Sequence, residues 1–232
     1  DDGFCDCEIS LQSNEVTILL GENYTLTGPS GDYDYLWETE TDSIGNTQTK
    51  EVTPTDTTKY YLTTTNTYGC ASTDSILVNV HWIELYLNQD TAICYEDSVT
   101  LYGPSNMAMY NWSDGIEIIG YNDSIIVNPS SNTQFTLDIT DNLGASATDS
   151  AQVTVRLLPS VSILSNDTSI NFGECTPLYG PPGFSNYEWL NEDTIAGTTQ
   201  DIDSCPPDTT QYYLSASDQY GCTGIDSVKV SI

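Results

Sequence analysis

Apolar and polar residues alternate along this chain in short runs. Ile76-Leu-Val-Asn-Val80 and Gln152-Val-Thr-Val155 send successive side chains to opposite faces, as strands buried on one side do. No window of useful length carries apolar residues at the 3.6-residue period of a helix, and Thr, Ser, Val, Ile and Tyr dominate. The pattern predicts an all-β protein.

The strand signals recur in three copies with fixed internal spacing. Each copy opens on Leu-x-Gly-Pro: Leu26, Gly28 and Pro29, then Leu101, Gly103 and Pro104, then Leu178, Gly180 and Pro181. A Tyr-x-Trp follows at Tyr35 and Trp37, Tyr110 and Trp112, Tyr187 and Trp189, so that each Trp stands 11 residues after its Leu. A second Leu stands 25 residues after each Trp, at Leu62, Leu137 and Leu214. Such spacing puts the three anchors on the second, third and sixth strands of a two-sheet core, with the indole filling the middle. An antibody domain has Cys, Trp and Cys at these places. The repeat therefore resembles an immunoglobulin-like sandwich in which apolar contacts replace the central disulfide.

A Gly turn and a closing strand complete each copy: Tyr68-Gly69-Cys70, Leu143-Gly144-Ala145 and Tyr220-Gly221-Cys222. Three tandem immunoglobulin-like domains are expected at residues 1–81, 82–157 and 158–232. Neither junction holds a Gly or Ser tract, which predicts a stiff rod. Before the last anchor, Pro54-Thr-Asp56-Thr-Thr-Lys-Tyr60-Tyr61-Leu62 and Pro206-Pro-Asp208-Thr-Thr-Gln-Tyr212-Tyr213-Leu214 resemble the run that forms a tyrosine corner. Tyr60 and Tyr212 are then expected to bond back to the backbone, whereas Phe135 at the same place has no hydroxyl.

Glu96-Asp97-Ser-Val-Thr-Leu101-Tyr-Gly-Pro, Tyr110-Asn-Trp-Ser-Asp-Gly115 and Thr140-Asp-Asn-Leu-Gly144 look like the PKD-like and immunoglobulin-like repeats of large bacterial adhesins that use type IX secretion, including gliding-motility adhesins. The resemblance covers the whole chain. It implies export, attachment at the cell surface and extended filaments of many such modules, with neighbouring copies or domains as partners.

Charge narrows the partners. Lys and Arg total 4 against 34 Asp and Glu, a net charge of -30 that repels phosphate backbones and anionic lipid surfaces, so nucleic-acid binding is not expected. No apolar run is long enough to span a bilayer, and membrane insertion is not expected either. The 16 Tyr and 4 Trp argue for packed cores rather than an acidic disordered chain. The opening Asp1-Asp2-Gly3, without Met or a signal peptide, reads as a cut inside a longer or processed polypeptide.

Seven cysteines in an exported-looking chain point to disulfides with one left over. In an immunoglobulin-like sandwich the turn between strands one and two lies at the end from which the chain leaves, and the turn between strands six and seven lies at the opposite end. Cys94 occupies the first kind of turn in the middle domain and Cys222 the second kind in the last, so they are expected to meet across that junction. At the first junction the matching residues are Leu19 and Ala145, both halves absent together. By the same logic Cys70 lies near Cys5 and Cys7, one of which is then spare for another domain or subunit. Cys175, opening a second strand, is within reach of Cys205 at the end of a neighbouring fifth strand. A free buried thiol is the alternative at each position.

Asn23, Asn111, Asn122 and Asn166 lie in Asn-x-Ser/Thr triplets. Asp followed by Ser or Thr and then by an aliphatic residue or Thr occurs at Ser43, Thr57, Ser75, Thr91, Ser98, Ser124, Ser150, Thr194, Thr209 and Ser227. That motif resembles an O-glycosylation signal of exported proteins in the same bacterial group. A role in turns or strand starts accounts for it equally well.

Catalysis has little to draw on. The one His is His81, in a linker, and neither a triad nor a His-rich metal site can be assembled. Asp32 with Asp34, and Asp201 with Asp203, offer hard oxygen ligands for Ca²⁺, or line solvated loops. No other cofactor is expected. Two functions remain: a non-catalytic extracellular structural module of an adhesin or fibre, or a recognition module for carbohydrate or Ca²⁺.

Overall fold

The computed structural model describes residues 8–192 and 194–232. Seven strands form its first sheet pair: β1 (Glu15–Leu19), β2 (Tyr24–Thr27), β3 (Tyr33–Glu38), β4 (Ser43–Gly45), β5 (Thr49–Val52), β6 (Thr58–Asn66) and β7 (Ala71–His81). They are ordered β1-β7-β6-β3-β4 in one sheet, faced by the pair β2-β5. The second set is β8 (Thr91–Cys94), β9 (Val99–Tyr102), β10 (Met109–Ser113), β11 (Ile118–Gly120), β12 (Ser124–Val127), β13 (Thr133–Thr140) and β14 (Ser146–Arg156). The third is β15 (Thr168–Ser169), β16 (Thr176–Tyr179), β17 (Asn186–Asn191), β18 (Thr194–Gly197), β19 (Asp201–Ser204), β20 (Thr210–Ser217) and β21 (Thr223–Ser231). Both repeat the first order, as β11-β10-β13-β14-β8 with β12-β9 and as β15-β21-β20-β17-β18 with β16-β19. In each set the first strand runs parallel to the last, and all other pairings are antiparallel. The fold is all β, three tandem immunoglobulin-like sandwiches.

The repeated anchors form the cores. All nine Leu and Trp side chains are at most 1% exposed, and each Trp is the direct cross-strand partner of its later Leu. The earlier Leu of each set reaches in from the facing two-stranded sheet. A buried indole must still satisfy its N–H. Trp37, Trp112 and Trp189 donate it to the carbonyls of Thr47, Asn122 and Thr199 at 3.1, 3.0 and 3.1 Å. The Gly of Leu-x-Gly-Pro is explained by close approach. A Cβ at Gly28, Gly103 or Gly180 would lie 3.0 Å from Leu62, 2.7 Å from Leu137 or 2.5 Å from the Gln200 carbonyl.

The recurrent phenol bond comes from a different tyrosine than the corner motif indicates. Tyr35, Tyr110 and Tyr187 donate their hydroxyls to the carbonyls of Pro29, Pro104 and Pro181 at 2.7, 2.7 and 2.8 Å. Tyr60 and Tyr212 are instead packed into the cores at the place of Phe135, and among the described residues neither hydroxyl bonds to backbone. Burial pushes the Tyr60 phenol above its ordinary pKa. At this position the ring serves packing, which is why Phe replaces it in the middle domain.

Each sandwich is closed by an irregular leading segment whose apolar residues, among them Leu11, Leu87 and Ile163, join the core. An Asp on the last strand fastens it. Asp74, Asp149 and Asp226 accept the backbone N–H of Leu11, Leu87 and Ile163 at 2.8, 2.7 and 2.8 Å. Their other oxygens accept the N–H of Ser75, Ser150 and Ser227.

Candidate functional site

The residues able to do more than hold one core together gather where one sandwich meets the next. Every last strand ends in register with the turn after the first strand: Leu20 N–H bonds to the His81 carbonyl at 3.1 Å, and Tyr95 N–H to the Arg156 carbonyl at 2.8 Å. His81 and Arg156 thus hold equivalent positions. Each faces the turn between the sixth and seventh strands of the following domain.

That turn is built by one carboxylate or amide. Asn66, Asp141 and Asp218 each accept two backbone N–H groups through Oδ1, from the residues two and four places on, at 2.8 to 3.0 Å. A Gly with φ of +82°, +94° or +87° completes it at Gly69, Gly144 and Gly221. The geometry fixes the residue after the Gly, which is Cys70, Ala145 or Cys222.

At the first joint the contacts are non-covalent. His81 Nε2 pairs with the Oδ2 of Asp141, leaving Oδ1 to the turn. The imidazole bond and the N–H groups of Leu143 and Ala145 hold the Asp141 carboxyl below its ordinary range. Leu19, Leu20, Trp82 and Ile83 line an apolar groove with Ala145 beside the pair. A Leu19 methyl lies 3.7 Å from where a Cβ on Gly144 would stand.

At the second joint the same positions are covalently bridged. Cys94 and Cys222 form a disulfide across 128 residues, with their Cα atoms 5.4 Å apart. The Arg156 guanidinium sits over the Tyr220 ring, 3.7 Å from its centroid, a cation–π contact beside the bridge. Neither the His81 pair nor the Arg156 stack is signalled by a motif. The available clue is that the chain's few cations include residues at the ends of its last strands.

A further disulfide joins Cys175 to Cys205 within the third sandwich, linking the start of β16 to the end of β19 with Cα atoms 4.2 Å apart. Cys70 is disulfide-bonded, and Cys5 and Cys7 lie outside the described residues. Among the described residues no three His, Cys, Asp or Glu gather to hold a metal. Asp32, Asp34, Asp201 and Asp203 are exposed, and the Asp201 carboxylate accepts the Gly180 N–H at 3.2 Å.

The glycosylation candidates divide by exposure. Asn23, Asn122 and Asn166 are exposed, although the Asn23 amide already bonds Glu51 and Thr53. Asn111 is half-buried in β10. Ser43, Thr57, Ser98, Thr194, Thr209 and Ser227 are exposed, while Ser75, Thr91, Ser124 and Ser150 are half-buried. Many of these Asp-Ser/Thr pairs do backbone work. Thr57 and Thr209 accept the N–H of Val80 and Ile232, and Asp90, before Thr91, accepts that of Gln152. Asp74, Asp149 and Asp226 are the fasteners described above.

No protein-family model and no curated protein matches the chain. Among solved structures it is similar to the three N-terminal domains of the Highly Immunogenic Outer Capsid protein (Hoc) of bacteriophage RB49. The TM-score is 0.54 at 17% identity, covering 97% of this chain and 98% of that one. Titin domains I67–I69, in an E-to-A variant, align with a TM-score of 0.42 at 16% identity over 97% of both chains. These likenesses concern the fold. No helix among the described residues is long and apolar enough to cross a membrane.

Proposed function

We propose that the chain is a non-catalytic, extracellular structural module of a surface adhesin or fibre, with domain boundaries near residues 81 and 158. The observation that carries this reading is the disulfide between Cys94 and Cys222, which joins two sandwiches rather than stabilising one. A bridge of that kind restrains orientation between domains, and orientation matters to a module whose work is reach and stiffness. Disulfides also persist in oxidising compartments, which supports export. The type IX, gliding-adhesin-like parentage rests on the sequence resemblance, and the polar faces of such a rod are where glycans would be carried.

On this reading neighbouring copies or domains of the same protein are the partners, and the charge of -30 discourages unspecific lateral clumping. Light scattering of native material, isolated without reductant or chelator, tests it. Elongated multimers or a longer parent chain are expected. A compact monomer of 25.4 kDa would refute the fibre and favour an isolated binding module.

A further inference from the structure

The middle sandwich differs from its neighbours along one edge. β11 ends its sheet, with β10 on one side and no strand on the other among the described residues, and β12 is an edge of the facing pair. The repeat register aligns Ile116, Ile118 and Ile126 with Thr41, Ser43 and Glu51 of the first domain and with Asp193, Ile195 and Asp203 of the third. At the first and last of these positions both neighbouring domains carry polar or acidic residues, which guard a strand edge against pairing, and the middle domain carries isoleucines.

The substitutions leave an apolar strip in the open. Ile116 is 92% exposed, Ile126 75%, Tyr121 68% and Ile118 50%. Ile119 and Ile126 line one groove between the two sheet edges, with Asp114 also on its wall. A single exposed Ile is ordinary, whereas several of them around one sheet edge mark an interaction surface. Electrostatics selects the occupant. Residues 82–155 contain no Lys, Arg or His, while Asp114, Glu117 and Asp123 flank the strip.

We infer that this edge docks an extended segment of a partner protein, aliphatic at alternate positions and flanked by Lys or Arg, which adds to β11 as a further strand. Backbone pairing supplies affinity, the isoleucines receive the aliphatic side chains, and the flanking acids receive the cations. A second copy of this chain is the poorer occupant. It brings another charge of -30 and offers its own edge no cation, since Lys50, Lys59, Arg156 and Lys229 all lie outside residues 82–155. The inference does not depend on the fibre reading and holds equally for a monomer.

The test uses the full oxidised chain and a synthetic probe, acetyl-Lys-Val-Thr-Val-Thr-Val-Lys-amide, with a partner peptide in which both Lys are Glu. Hydrogen exchange is expected to show new protection at Ile118–Gly120 with the Lys peptide and none with the Glu peptide. Titration calorimetry should give binding that weakens about tenfold or more in the I116T/I118S/I126E variant, which restores the residues of the first domain. I126E alone, at a surface position, should weaken it in the same direction should the triple variant fold poorly. Absence of Lys-peptide binding, protection located elsewhere, or equal binding of the Glu peptide would overturn the inference. So would a concentration-dependent dimer of the chain alone that I126E abolishes, because the occupant would then be a second copy.

Discussion

Each indole in this chain does two jobs at once. It fills the space between two sheets at zero exposure, and its N–H satisfies a loop carbonyl ten residues on. Trp112→Ala is therefore expected to cost the middle domain about 3–5 kcal/mol through lost burial and the cavity left behind. Trp112→Phe keeps part of the packing but orphans the Asn122 carbonyl and should cost about 1–3 kcal/mol. Urea denaturation followed by the fluorescence of the remaining Trp37, Trp82 and Trp189, alongside exchange of middle-domain amides, separates the domains. The phenols give a sharper contrast. Tyr110→Phe removes the bond to Pro104 and should cost about 1 kcal/mol, whereas Tyr60→Phe should be near neutral because the middle domain already carries Phe135 there. The anchors were legible because their spacing repeats three times. The phenol bond was not, since a local Asp-Thr-x-x-Tyr run looks like a corner whether or not its hydroxyl reaches backbone.

At the scale of elements, the Asp on each closing strand decides whether the leading segment stays on its sandwich. The bond from Leu87 N–H, then that from Ser150 N–H, lowers the Asp149 pKa from its ordinary value near 3.8. A depressed folded pKa means that the carboxylate's contribution is fully present above the ordinary value and is lost as pH falls through the lower folded one. Protection of the Leu87 amide should therefore hold from neutral pH to about pH 4 and fall only below it. In Asp149→Ala the same amide should exchange faster from neutral pH to about pH 4, with the difference shrinking below that and Ile163 in the third domain unchanged; hydrogen-exchange mass spectrometry reads both. Strand order and the two-layer core could be read from alternation and the anchor spacing. The fastening Asp could not, because its partner lies 62 or 63 residues away and Asp-Ser looks the same on a turn, a glycan site or a clamp.

For the whole molecule, two joints built at equivalent positions by different chemistry set the behaviour. Turn positions place Cys94 and Cys222 at facing ends of successive domains, which the repeat makes readable. The His81–Asp141 pair and the Arg156–Tyr220 stack depend on side-chain reach across a junction and have no sequence pattern. Asp141→Asn should leave the middle domain's stability nearly unchanged, because Asn66 builds the same turn in the first domain, while loosening the first joint. Small-angle scattering should then show a broader range of shapes at an unaltered melting temperature.

The most direct measurement is pulsed dipolar spectroscopy across both joints. Spin labels carried on non-canonical residues at Lys59, Gln134 and Gln211, equivalent positions three residues before the second Leu anchor, leave the cysteines untouched. A joint-restraining module predicts a narrow 134–211 distance distribution, a broader 59–134 distribution, and marked broadening of the 134–211 one alone in the C94A/C222A variant. Equal widths at both joints, with no change in that variant, would contradict it.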